Sequence, residues 1–363
     1  MSQVVALLSL ALILGGCAGA PEKAVFRLGL DASVETKRLM WPPEKAGEVP
    51  RYFYVGDLTG ENNFVKPESE TGAAKNIVAR FFDVIIGETP PLLLDRPQSG
   101  AVDESGRILV TDMGNGAVFV FDEKAGKLST WDKATGAMGF IAPVGIAVGP
   151  DGHIYVADPE LGLVAHLDRN GNTLAPIGKG QLRRPTGLAY EPNSKRLFVS
   201  DTQTHQIKVF DLEGNLLLTL GEHGEGPGQF NYPTYIAISD EKLYVSDTLN
   251  ARVQIISTPT GRYLGTLGNR GLFVGNLVRP KGVAADSEHN VYVIESYYDY
   301  MLVYNSRGRF LLPIGGVGAG AGNFHLPAGV WVDARNRIFV ADMLNRRVAV
   351  FQFLGGDEDN EDR

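Results

Sequence analysis

"PTGLAYEPNSKRLFVSDTQTHQIKVFDLEGNLLLTLG", Pro185 to Gly221, contains four short apolar runs separated by turn residues. It opens on a proline and "GLAY". "PNSKR" then breaks the chain before "LFVSD". A polar loop leads into "QIKVF", and Gly214 sits in the turn before "LLLTLG". β-Branched and aromatic residues favour strands, and glycine permits the positive φ of a tight hairpin. The stretch therefore reads as strand, turn, strand, loop, strand, turn, strand.

Moving outward, the same unit recurs. The run ending at Asp201 has counterparts ending at Asp112, Asp158, Asp247, Glu295 and Asp342, at intervals of 46, 43, 46, 48 and 47 residues. A proline precedes each by 14 to 16 residues: Pro97, Pro143, Pro185, Pro233, Pro280 and Pro327. Later turns carry Gly126, Gly171, Gly214, Gly261 and Gly308. No helical pattern separates the strands, which excludes a parallel βαβ arrangement. Four antiparallel strands every ~45 residues match a propeller blade. Outer strands end at Gly178, Gly221, Gly268 and Gly315, with a weaker "KLSTW" in the first unit and none in the last. "RYFYVG", Arg51 to Gly56, supplies the missing one, so an N-terminal strand closes the last blade.

These units resemble the NHL-repeat family, in Pro185–Gly221 and again in "GEHGEGPGQFNYPTYIAI" and "DTLNARVQI". The resemblance covers Pro97 to Phe351 with the Arg51–Gly56 strand. It implies an all-β, six-bladed propeller of four-stranded blades. For function it implies little, since such propellers serve as enzymes, receptor-like modules and binding domains.

The expected organisation is a signal peptide over 1–16, a tether over 17–50, the propeller over 51–354 and an acidic tail over 355–363. Val4 to Leu14 is too short to span a bilayer as a helix and reads as a secretory h-region. "LGGC" behind it resembles a bacterial lipobox, with Cys17, the sole cysteine, as the lipidated residue, although "MSQ" lacks the usual basic residue. Ala18 rather than aspartate after that cysteine favours the outer membrane. Ala18 to Pro50 shows little periodicity, and Pro42, Pro43 and Pro50 stiffen it locally, as in a spacer. An insertion over 57–96 includes a helical pattern in which Ile77, Val78, Phe81, Phe82 and Ile85 share one face behind a Thr71 cap. Because it joins an outer strand to an inner one, it starts and ends on the upper face, over the channel mouth or in the seam between the last and first blades.

That upper face carries the loops into each innermost strand and those from second to third strands. Just before the prolines stand Arg96, Ala142, Arg184, Tyr232, Arg279 and Leu326, with His325 one residue further out. Arginine's planar fork suits carboxylate or phosphate. Either the three arginines hold an anionic ligand or they pair with Asp112, Asp201 and Glu295. The six recurring acidic residues read as structural anchors accepting loop N–H groups. The fifth unit places Tyr297, Tyr298 and Tyr300 where others have small polar residues, either packed or offered to a sugar ring or protein.

Six histidines are scattered, and three do not fall at equivalent upper-face positions, as a zinc site like that of the amidating lyases requires. The arginines disfavour a lactonase-like calcium. No catalytic residue, metal or cofactor is assigned. The net charge of −8 disfavours nucleic acid. The expected function is a monomeric, lipid-anchored binding or scaffold propeller. Its expected partners are the bilayer, through lipid on Cys17, and an envelope protein or an anionic small molecule or polymer. A propeller lyase or hydrolase acting at the central channel is the alternative.

Overall fold

A computed structural model describes residues 24–29, 39–43, 48–65 and 90–355. The signal segment, Cys17, the helical pattern of the insertion and the acidic tail lie outside them.

Six antiparallel sheets form a ring of blades. The Pro185–Gly221 stretch is the third, with strands Pro185–Glu191, Arg196–Asp201, Gln206–Phe210 and Leu216–Leu220. Each blade places its apolar face against the next, so the core is divided among the seams. Tyr155 and Val164 of the second blade meet Leu188 and Phe210 of the third in one such cluster. Corresponding clusters fill the other five seams. Hydroxyls stitch neighbouring blades near the upper rim: Thr111 Oγ1 donates to the Val144 carbonyl at 2.6 Å, and Thr248 Oγ1 to that of Pro280 at 2.9 Å. The innermost strands approach so closely that a Cβ on Gly145, Gly187, Gly282 or Gly329 would collide with the backbone of the adjacent blade.

The ring closes as the sequence implies. Tyr52–Leu58 pairs antiparallel with Arg347–Phe353, and thereby completes the sixth blade. Arg347 locks this joint. Its Nε donates to Asp342 at 2.8 Å, one terminal nitrogen lies 3.1 Å from Asp57 of the closing strand, and the other reaches the carbonyls of Gly320 and Asn323.

Two expectations need correction. The 17–50 spacer is not free over its described parts. Met40–Trp41 adds a fifth strand beside Tyr52–Phe53, and Val25–Phe26 pairs with Phe64–Val65. The cause is apolar burial: Trp41 packs edge-on to Phe351 at 5.6 Å, and Phe26 packs on Phe64 at 5.3 Å. Second, "TLAPIG" in the second blade forms only the bridges Val164–Ile177 and Leu167–Thr173. The bridged residues lie three positions apart on one strand and four apart on the other. One residue is therefore bulged out, and Pro176 lends no N–H to the ladder. Of the two places expected for the insertion, its described ends take the seam between the sixth and first blades, where Phe64 and Leu94 join Phe121 and Val348.

Candidate functional site

The upper face is ordered by its six anchors, each at most 1% exposed. Asp112 accepts the N–H groups of Asp95 and Asn115, and Asp158 those of Ile141 and Ala142. Asp201 accepts those of Arg183 and Arg184, together with the Lys208 ammonium at 2.8 Å. Asp247 and Asp342 each accept one loop N–H, an Asn side chain and an Arg Nε. Glu295 accepts three main-chain donors, from Val278 at 2.7 Å, Arg279 at 3.0 Å and Tyr297 at 2.9 Å. A carboxylate at a strand end thus fixes the loop leading into its own blade.

Four residues past its anchor, every blade has a left-handed residue: Gly116, Gly162, His205, Ala251, Asp299 and Arg346. Two of these side chains accept a main-chain N–H from the loop into the next blade. The N–H of Tyr232 donates to His205 Nδ1 at 3.1 Å, and that of Leu326 to Asp299 at 2.7 Å. Tyr232 and Leu326 are themselves left-handed, which turns their N–H groups away from their own anchors.

The arginines do not form one ring of equivalent charges, and the pairing read from sequence is replaced. It is the main-chain N–H of Arg96, Arg184 and Arg279 that meets Asp112, Asp201 and Glu295. The Arg96 guanidinium lies 3.6 Å from Asp95, which Arg346 also approaches at 3.4 Å. That of Arg184 lies 3.2 Å from Glu160. Arg279 is exposed, and among the described residues its guanidinium has no carboxylate within ion-pair distance.

The aromatic residues fall into two sectors. Between the third and fourth blades, His205 packs edge-on to Tyr232 at 4.8 Å and to His223 at 4.4 Å. His223 belongs to a glycine-rich loop, and its arrival here was not visible in sequence. Burial, then His223, pulls His205 below the ordinary imidazole value. On the fifth blade Tyr297 is 59% exposed and stands edge-on to Tyr298 at 4.9 Å. Tyr300 is instead half-buried against the seam between the fourth and fifth blades. His325 is exposed at the sixth blade and its N–H is fixed by Asp342.

Lys281, which sequence reasoning passed over, belongs with the fifth-blade group. The residues just after the six prolines are Gln98, Val144, Thr186, Thr234, Lys281 and Ala328, so one of the six is charged. Lys281 is half-buried, and among the described residues its ammonium has no hydrogen-bond or ion-pair partner. Burial, then the charge of Arg279, holds it below the ordinary lysine range.

The axial channel does not open onto this face. Val144, Tyr235 and Ala328 pack together at its upper end, and the Tyr235 hydroxyl crosses the ring to the Gln98 carbonyl at 3.2 Å. Below them lies a cavity of about 310 Å³. Its lower lining, including Ala101, Val148, Tyr190 and Val332, is half exposed. Among the described residues, no three His, Cys, Asp or Glu side chains come together as a metal site.

A family model described as a 6-bladed beta-propeller matches residues 190–272 and 277–362. The chain is a six-bladed β-propeller of NHL-type repeats. Peptidyl-glycine alpha-amidating monooxygenase B of Xenopus laevis is 30% identical to the propeller over 148 residues, 36% of this chain and 17% of that protein. NHL repeat-containing protein 2 of Bos taurus is 27% identical over 156 residues, 34% of this chain and 22% of that protein. The propeller thus matches less than a quarter of the length of either relative. The solved gluconolactonase of Xanthomonas campestris superposes with a TM-score of 0.56 at 14% identity, over 72% of this chain and 86% of that one. That last likeness is one of fold.

Proposed function

We propose that this propeller is a lipid-anchored binding or scaffold module of a bacterial envelope, held at the outer membrane through Cys17. It acts as a monomer and engages an envelope protein or an anionic ligand with its upper face. The observation that carries this reading is the fifth-blade sector. There one buried carboxylate, Glu295, fixes the backbone of both Arg279 and Tyr297, and both side chains are exposed. Fixed loops presenting an exposed guanidinium and a flat aromatic are suited to recognition, because little ordering entropy is lost on binding. Arg96, Arg184, Tyr232 and His325 form the surrounding rim. Exposed ion pairs of the kind Arg96 and Arg184 make contribute about 0–1 kcal/mol and can exchange for a partner's charges.

The test is capture from envelope extracts with wild type, Arg279→Ala and Arg184→Ala at low and high salt. The reading predicts partners recovered at low salt, released at high salt and lost in Arg279→Ala. Equal recovery by wild type and Arg279→Ala at both salts would refute it. The relationship to an amidating monooxygenase supports a second reading, an enzyme acting at the channel. That reading predicts turnover abolished by chelation and unaffected by Arg279→Ala.

A further inference from the structure

We propose that Lys281 and Arg279 form a carboxylate-binding pair and that Tyr297 receives the ring that bears the carboxylate, so that the site takes a uronate-type sugar. This deepens the upper-face reading and rests on it.

Three observations lead there. First, the two cations are close neighbours, one on each side of Pro280, and Arg279 is near enough to depress the Lys281 ammonium electrostatically. In a chain of net charge −8, Arg96, Arg184 and Arg346 each have a carboxylate within ion-pair distance, whereas these two cations have none within that distance among the described residues. An uncompensated, half-buried cation is unfavourable in the free protein and is relieved by an anion.

Second, four main-chain donors flanking the two exposed side chains are already taken. The N–H groups of Val278, Arg279 and Tyr297 go to Glu295, and that of Ser296 goes to the Arg279 carbonyl. Phosphate sites usually draw on free backbone N–H groups. A site limited to one guanidinium fork and one ammonium matches the two oxygens of a carboxylate.

Third, Tyr297 is held within the same carboxylate clamp as Arg279, and Tyr298 braces it edge-on. Its exposed face is apolar with a polar tip, which suits a ring that is itself amphipathic. The plug formed by Tyr235, Val144 and Ala328 floors the upper end of the axis, so the ligand is bound from above and its chain can continue across the rim.

The experiment is titration calorimetry on the full chain with trigalacturonate, neutral galactotriose, polyglutamate and inorganic phosphate. Wild type, Lys281→Met, Arg279→Gln and Tyr297→Ala are compared, and thermal melting confirms that each folds. Trigalacturonate should bind wild type at least about tenfold more tightly than each of the other three probes, and each variant should lose about tenfold. Galactotriose binding equally well, phosphate binding more tightly, no probe binding, or Lys281→Met leaving trigalacturonate affinity unchanged would each overturn the proposal. Polyglutamate binding that depends on Arg279 without preference for the uronate would sink this inference and leave the upper-face reading intact. Loss of both that dependence and the Arg279-dependent capture would remove the two together.

Discussion

At the scale of single residues, charges that look alike in sequence have different roles. Arg347 is 7% exposed and bridges two carboxylates, Asp57 and Asp342, both pushed up from the usual carboxylate range by burial. Arg347→Ala leaves both without their cation, so chemical denaturation should show a loss of about 3–5 kcal/mol. Arg184→Ala removes an exposed pair and should change stability by less than about 1 kcal/mol. Lys281→Met should melt at or above the wild-type temperature, because it removes a desolvated charge that nothing described offsets. His153 Nδ1 and His166 Nε2 meet at 2.9 Å on the lower face, with Tyr155 stacked on His166 at 4.6 Å. Burial, then His153, holds His166 below its ordinary 6.5. The stability tied to a neutral His166 is complete above about 6.5 and is lost as pH falls through the lower folded value. Melting should therefore fall between about pH 7 and about pH 5, and less steeply in His166→Gln. An identical slope in both proteins would contradict that origin. The anchors were legible as acidic residues because they repeat. Lys281 was legible only as an exception at its position, and the meeting of His205 with His223 depends on a loop path that no local pattern encodes.

At the scale of elements, the repeating strands followed the alternation of apolar and turn residues, and the departures have local causes. The outer strand of the second blade is reduced to two bridges by a bulged residue and Pro176. Its amides should exchange with deuterium faster than those of Leu216–Leu220 in the third blade, and equal protection would contradict the irregular pairing. The segment before Arg51 was read as a spacer because Phe26, Leu28, Leu39 and Trp41 follow no helical or strand period. What places them is the surface they cover: Leu39 and Trp41 on the cluster of the fifth and sixth blades, Phe26 and Leu28 on that of the sixth and first. Deleting residues 18–43 should therefore lower the melting temperature measurably. An unchanged melt would restore the spacer reading. The Tyr235 plug was equally hidden, because one tyrosine among glycines and serine at the second position after the prolines does not announce that it crosses the axis.

At the scale of the whole molecule, the ring is a closed sequence of six packed seams fastened by the pairing of Tyr52–Leu58 with Arg347–Phe353. Deletion through Leu58 removes Asp57 and exposes the edge of the third strand of the sixth blade. It should cost several kcal/mol more than deletion through Pro43, beyond the ~0.5–3 of a typical substitution. The lipid anchor is tested by intact mass of membrane-extracted protein, which should show a diacylglyceryl group on Cys17 at the mature N-terminus. A full-length, unmodified chain would exclude it. Closure also makes the upper face one fixed surface, on which the fifth blade offers two cations with no carboxylate within ion-pair distance among the described residues. Hydrogen–deuterium exchange of the full chain, with and without saturating trigalacturonate, tests that claim most directly. Protection is predicted over residues 278–282 and 296–300, with the lower-face turns at 151–153 and 169–172 unchanged. Protection confined to those turns or to the channel strands, with the fifth-blade loops unaffected, would contradict the account.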